Sequence, residues 1–163
     1  MAKNQTLKIT EMDRYLFGQG THYEIYKLMG AHFVKNGKKS GVYFAVWAPR
    51  AQEVAVVGDF NGWDPNENIM KCDNDMGIYQ LFIPGVKSGD LYKFCITSPS
   101  GELLYKADPY ANYAEKRPGN ASRVYDITNF KWNDSVWMKN RQNYDVNKNA
   151  MSIYEVHPGS WRK

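Results

Sequence analysis

The stretch Val57-Gly58-Asp59-Phe60-Asn61-Gly62-Trp63-Asp64 carries the residues best suited to chemistry. Asn61-Gly62 suits a tight type I′ hairpin turn, whose two central residues need positive φ, and such a turn displays Trp63 at a fixed angle beside a sheet. An indole so presented is a stacking platform: the apolar face of a pyranose packs on it by dispersion and CH–π contact, while neighbouring amides and cations bond the hydroxyls. The alternative is that Trp63 closes the core, since tryptophan is usually well buried. Lys93 is the second such residue. In Leu91 to Thr97, alternation puts Tyr92, Phe94 and Ile96 on one face and Leu91, Lys93 and Cys95 on the other. Lys93 thus points away from the aromatic face, where its ammonium is either simply solvated or donates up to three hydrogen bonds to a ligand.

Catalytic patterns are not found. Glycoside hydrolysis needs two carboxylates across a bound sugar. Of the acids present, Asp59 and Asp64 adjoin a turn, Asp108-Pro109 reads as a turn opener, and Glu155 stands apart. His22, His32 and His157 lack metal-ligand spacing, and no cofactor is indicated. The sequence has no G-x-S-x-G, Walker A or G-x-G-x-x-G motif. Cys72 and Cys95 are too few for a disulfide scaffold and lie in no C-x-x-C spacing, so both read as free thiols in a reducing compartment.

The elements that must position these residues follow from periodicity. Thr21-x-x-Glu24 reads as a capping box opening a short helix through Ile25, Leu28 and Met29 to Gly30, and Thr10 with Asp13 reads as a weaker one before Met12 to Phe17. From Gly41 the period becomes two. Strands are expected at Gly41 to Trp47, Val54 to Asp59, Ile78 to Ile83, Leu91 to Thr97, Glu102 to Lys106 and Ser122 to Asp126, separated by turn residues. This spacing predicts an all-β fold, an immunoglobulin-like antiparallel β-sandwich with short N-terminal helices. After Thr128 an Asn-rich stretch reads as a linker with room for one short helix around Val136 to Met138. Ser152 to His157 reads as a lone strand, which cannot pair its backbone alone, so the chain is expected to run into the start of a second domain.

Composition narrows the function classes. The chain has 163 residues and a net charge of +4 that is scattered rather than clustered, which argues against a nucleic-acid or membrane-surface binder. Leu, Ile, Val and Phe make only about a fifth of the chain, near the range of disordered sequences. The 12 Tyr, 5 Trp and 7 Phe offset this, because each large ring buries roughly 150–250 Å². No apolar segment has the length of a signal peptide or a membrane span.

In order, Gly41-Val42-Tyr43-Phe44-Ala45-Val46-Trp47-Ala48-Pro49, Val56-Val57-Gly58-Asp59-Phe60-Asn61-Gly62-Trp63, Leu91-Tyr92-Lys93-Phe94 and Lys106-Ala107-Asp108-Pro109-Tyr110-Ala111 resemble a family 48 carbohydrate-binding module. Such modules precede enzymes of the α-amylase superfamily that act on glycogen or starch. The closing Ser152-Ile153-Tyr154-Glu155-Val156-His157-Pro158-Gly159-Ser160-Trp161-Arg162-Lys163 resembles the first barrel strand of bacterial 1,4-α-glucan branching enzymes, and debranching and trehalose-forming relatives share only its beginning. The resemblance implies four segments: an N-terminal helical segment (1–40), a carbohydrate-binding β-sandwich (41–128), a linker (129–150) and the first strand of a truncated (β/α)8 barrel (151–163). It implies a sugar-stacking role for Trp63, hydroxyl bonding by Lys93, and Asn120 near the family's binding asparagine. Where related modules place a second platform tryptophan this chain has Leu103 and Tyr105, so Tyr105 is the residue left to stack there. The implied reaction cleaves an α-1,4 bond with retention and transfers the chain to a 6-hydroxyl, using carboxylates on later barrel strands, and a barrel needs ~250 residues. The expected partners are α-glucan (glycogen, maltooligosaccharides) and the catalytic barrel of the same chain, in the cytoplasm. The alternatives are a module of a debranching enzyme, a structural domain that packs on the barrel without binding sugar by itself, and, more remotely, a single-strand nucleic-acid binder, which would need a basic groove.

Overall fold

The computed structural model describes residues 9–161. Two compact units, divided after Thr128, make up the chain. The first is a sandwich of two antiparallel sheets. Strands β1 (Gly30–Asn36), β2 (Lys39–Trp47), β3 (Glu53–Gly58), β4 (Lys71–Asp73), β5 (Ile78–Pro84), β6 (Leu91–Thr97), β7 (Leu103–Lys106), β8 (Tyr113–Ala114) and β9 (Ser122–Arg123) follow a helix, α1 (Glu11–Gly18). Sheet 1 has the order β1-β2-β5-β4, and sheet 2 the order β3-β6-β9-β8 with β7 also on β6. The immunoglobulin-like antiparallel sandwich with short N-terminal helical elements is thus as the strand spacing predicted.

The core lies between the sheets. Val42, Phe44 and Val46 of β2 face Val54 and Val56 of β3 and Tyr92 and Phe94 of β6. The Phe44 ring meets Tyr92 edge-on at 5.1 Å between centroids, and Tyr92 meets Phe94 at 6.0 Å, geometries that aromatic quadrupoles favour. The other face of sheet 1 is covered too. Tyr43, Ala45 and Ile78 pack with Met29 and Val34, and Ile9, Phe17 and Ile25 of the N-terminal segment close over them. Two-sided cover explains why six consecutive β2 residues, Gly41 to Val46, are buried. Trp47, at the rim, meets Phe17 edge-on at 6.0 Å and donates from Nε1 to the Met76 carbonyl at 3.1 Å.

Two expectations for the N-terminus are corrected. The capping box at Thr10 forms, with the Asp13 amide donating to the Thr10 hydroxyl at 3.2 Å and the Thr10 amide to the Asp13 carboxylate at 2.8 Å. The Thr21 box does not. Thr21 instead closes the preceding helix, its amide donating to the Leu16 carbonyl at 3.0 Å, and only a three-residue 3₁₀ turn, Ile25–Lys27, follows. Nor does the helical segment reach residue 40: β1 begins at Gly30 and pairs along its whole length with β2. Arg14 ties α1 to β4 through a two-pronged contact with Asp73, Nη1 at 2.6 Å and Nη2 at 2.5 Å.

Strand β6 divides one of its edges. Along Tyr92 to Thr97 it pairs with β3, while on the opposite edge Phe94 to Thr97 pair with β7 and Leu91 and Tyr92 with β9. Asp108 sits buried where the chain leaves that edge, accepting from the Tyr92 hydroxyl at 2.6 Å and the Tyr110 amide at 2.8 Å, and its own amide donates to the Ser122 hydroxyl at 2.8 Å. These bonds fasten the loop before β8 to the sheet.

The second unit holds two short helices, α2 (Ser135–Arg141) and α3 (Pro158–Trp161). Its α2 is the short helix for which the linker had room. None of its described residues is buried, and residues 151–157, expected as a strand, carry no ladder. A strand needs a neighbour for its backbone groups, and the described residues of this unit hold no other strand. Residues 1–8, 162 and 163, parts of the expected first and last segments, lie outside the described residues.

Candidate functional site

The outer face of sheet 2 differs from that of sheet 1: among the described residues of the first unit, no helix packs on it. Ala55 and Val57 of β3 and Cys95 of β6 point outward yet are buried, and the residue packed against them is Trp63. Trp63 shields these three small side chains and remains half-exposed.

The loop that aims Trp63 is built differently from the expected hairpin. Asp59–Asn61 form a 3₁₀ turn, and the positive φ values fall on Gly62 (61°) and Trp63 (64°) rather than on Asn61 and Gly62. Phe60 anchors the turn in the core, 5.9 Å from the Phe44 ring. Asn61 clamps it, accepting from the Gly58 amide at 2.9 Å and donating to the Val56 carbonyl at 3.0 Å. The Trp63 amide donates to the Gly58 carbonyl at 3.1 Å, and its indole N–H to Asp59 at 3.2 Å. Asp59 in turn accepts from the Leu91 amide at 2.8 Å, tying the loop to β6. A tryptophan at positive φ costs about 1–2 kcal/mol, and this set of bonds is what holds it there.

Around Trp63 the sheet register sets the neighbours. Lys93 lies opposite Val57, and Tyr105 of β7 lies opposite Cys95. Lys93 donates from Nζ to Asn120 Oδ1 at 2.5 Å, so its ammonium is held by an amide and keeps two further N–H donors. Asn120 is delivered by the turn between β8 and β9, where the Glu115 amide donates to the Ala121 carbonyl at 2.9 Å and the Ala121 amide to the Glu115 carboxylate at 3.1 Å. Tyr105 is 46% exposed. Its phenol is held above the ordinary value, chiefly by the adjacent Cys95, whose own thiol is pushed up by burial. Trp63, Lys93, Asn120 and Tyr105 thus share one face: two aromatic surfaces, an ammonium and an amide, a set suited to a neutral ring rimmed with hydroxyls.

The acids have other tasks. Asp59 holds the Trp63 loop, Asp64 accepts from the Asn66 amide at 2.8 Å, and Asp108 serves the β6 edge. Cys72 and Cys95 are free thiols. Among the described residues no group of His, Cys, Asp and Glu could hold a metal ion, and no helix is long and apolar enough to cross a membrane. Sequence reasoning missed the clamp by Asn61, whose signal was its place two residues before Trp63, and the outward aromatic pair Tyr113 and Tyr125, which stack at 5.2 Å.

Two antiparallel sheets packed face to face define an immunoglobulin-like β-sandwich module. Comparison with known proteins agrees. The family described as carbohydrate-binding module 48 (isoamylase N-terminal domain) matches residues 28–111, which include Trp63, Lys93 and Tyr105 but not Asn120. The chain belongs to this family. It is 57% identical over 160 residues to the 1,4-alpha-glucan branching enzyme GlgB of Butyrivibrio fibrisolvens, covering 98% of this chain and 25% of that protein. To the protein of the same name from Halothermothrix orenii it is 51% identical, covering 94% of this chain and 24% of that one. The chain therefore spans about a quarter of the length of these relatives. Among solved structures, a candidate alpha amylase from Salmonella typhimurium superposes with a TM-score of 0.50 at 25% identity, over 67% of this chain and 16% of that one. The family match begins at residue 28, just before β1.

Proposed function

We propose that the chain is an α-glucan-binding module that holds glycogen or a maltooligosaccharide on the outer face of sheet 2. The observation that carries this reading is the convergence of Trp63, Tyr105 and the Lys93–Asn120 pair on one face. The names of the relatives, which are 1,4-alpha-glucan branching enzymes, supply the class of polymer. In this reading the module retains the glucan for a catalytic barrel in the same polypeptide, which cleaves α-1,4 bonds and re-forms them as α-1,6 branches in the cytoplasm, and residues 151–163 begin that barrel. Asp59, Asp64 and Asp108 accept hydrogen bonds from the Leu91 amide, the Asn66 amide and the Tyr92 hydroxyl, and in this reading they serve the fold.

Titration of the chain with maltoheptaose, followed by tryptophan emission, tests the reading. A saturable change is expected, with Trp63→Ala weakening binding by about 1–2 kcal/mol, roughly tenfold, at unchanged circular dichroism. Equal affinity of the two proteins would favour the structural alternative, in which Trp63 does no more than cover Ala55, Val57 and Cys95.

A further inference from the structure

We propose that Tyr113, Tyr125 and Arg123 form a second sugar-stacking platform on the same sheet face, so that the module grips a long glucan at two separated points. The register places them there. Arg123 lies opposite Leu91 of β6, Tyr113 lies opposite Arg123, and Ser122 and Val124 turn inward, fully buried, which sends Arg123 and Tyr125 outward. The Tyr113 and Tyr125 rings stack at 5.2 Å with 28° between planes, and they are 52% and 45% exposed. The Arg123 guanidinium sits 6.0 Å from the Tyr113 ring centre. Its Nη1 donates to the Gly89 carbonyl at 3.2 Å while its Nε has no hydrogen-bond partner.

The occupant follows from chemistry and continuity. Paired phenol rings edged by a guanidinium and by hydroxyls suit an apolar ring face with a polar rim, as a pyranose has. The hairpin that bears the pair also delivers Asn120 to Lys93. Lys93 on β6 and Tyr113 on β8 are two strand spacings apart, roughly 10 Å, with Trp63 on the far side of Lys93. A disaccharide held at Trp63 ends before Tyr113, whereas a longer chain crosses Lys93 and reaches it. The inference rests on the glucan reading of the Trp63 face and adds chain-length selection to it.

The test compares maltose with maltoheptaose on the whole 163-residue chain, reading backbone amide shifts by NMR. Maltoheptaose should shift the amides of Tyr113, Arg123 and Tyr125 together with those of Trp63 and Lys93, and maltose only the latter two. The Tyr113→Ala/Tyr125→Ala variant should lose about threefold to tenfold in maltoheptaose affinity and keep its maltose affinity at Trp63. The single Tyr125→Ala variant, which leaves β8 intact, should lose part of the same affinity, and the wild-type shifts need no variant at all. Maltoheptaose shifts confined to the Trp63 end, with unchanged affinity in both tyrosine variants, overturn the second platform and leave the glucan reading standing. If Trp63→Ala binds maltose and maltoheptaose as the wild type does, the glucan reading fails and the second platform with it.

Discussion

At the scale of single residues, Lys93 and Asp108 contrast a polar group on the outer face of sheet 2 with one buried in the fold. Lys93→Met keeps the stem and removes the ammonium, so it should weaken maltoheptaose binding with little change in thermal stability. An unaltered binding isotherm would remove Lys93 from the site. Asp108 is the opposite case. Burial raises its pKa, against the hydrogen bonds from Tyr92 and the Tyr110 amide and the charge of His32. A raised folded value means that its contribution to stability is full below the ordinary carboxylate pKa and is lost as pH rises through the folded one. Asp108→Asn should therefore flatten the stability profile above the ordinary carboxylate pKa, where the wild type declines. Parallel melting curves for the two proteins over that range would refute this. Asp108→Ala should cost about 1–3 kcal/mol by leaving the buried Tyr92 hydroxyl without its acceptor. Asp13 has the reverse sign. Partial burial works against it, but the Thr10 hydroxyl and amide and His22 hold its pKa below the ordinary value, so its contribution disappears as pH falls through that lowered value.

At the scale of elements, the loop from Asp59 to Trp63 links fold to function. Asn61→Ala removes the acceptor of the Gly58 amide and the donor to the Val56 carbonyl, so it should destabilise the module by about 1–3 kcal/mol and also weaken glucan binding, because Trp63 loses its aim. A variant that melts lower but binds as before would separate the clamp from the site. The strands β2, β3, β5 and β6 were legible from alternation, and β6 even in the facing of each side chain. The outward facing of Lys93 was legible for the same reason, whereas Trp63 was read from the Asn61-Gly62 turn, whose form differs from the expected one. Strand β1 was not, because Gly30-Ala31-His32-Phe33-Val34 is partly buried on both faces and so has no clear period. The Thr21 motif misled because the Thr21 amide is already used by the Leu16 carbonyl. The type of turn at Asn61 was hidden too, since the core contact of Phe60 and the tie from Asp59 to Leu91 come from distant residues.

At the scale of the whole molecule, the described residues divide into a sandwich with its own core and a short tail with none. A protein cut after Thr128 should therefore unfold cooperatively at the same midpoint as the full chain, and amides of residues 135–161 should exchange far faster than those of β2 and β6. A substantially lower midpoint on removing the tail would show that it contributes to the stability of the sandwich. The split of the chain into these two units was visible in composition, since the Asn-rich stretch after Thr128 has little to bury.

The unequal cover of the two sheets bears on how such a module can change over generations. Sheet 1 is packed on both sides, so nearly every position of β2 is constrained by shape. Sheet 2 has the core on one side only, and Lys93, Tyr105, Tyr113, Arg123 and Tyr125 all project from the other. Within the two sheets, exposed outward positions of sheet 2 are therefore freer to vary than those of β2. On the proposed glucan reading, a lineage can change what the module grips through substitutions at exposed positions that leave the core between the sheets untouched.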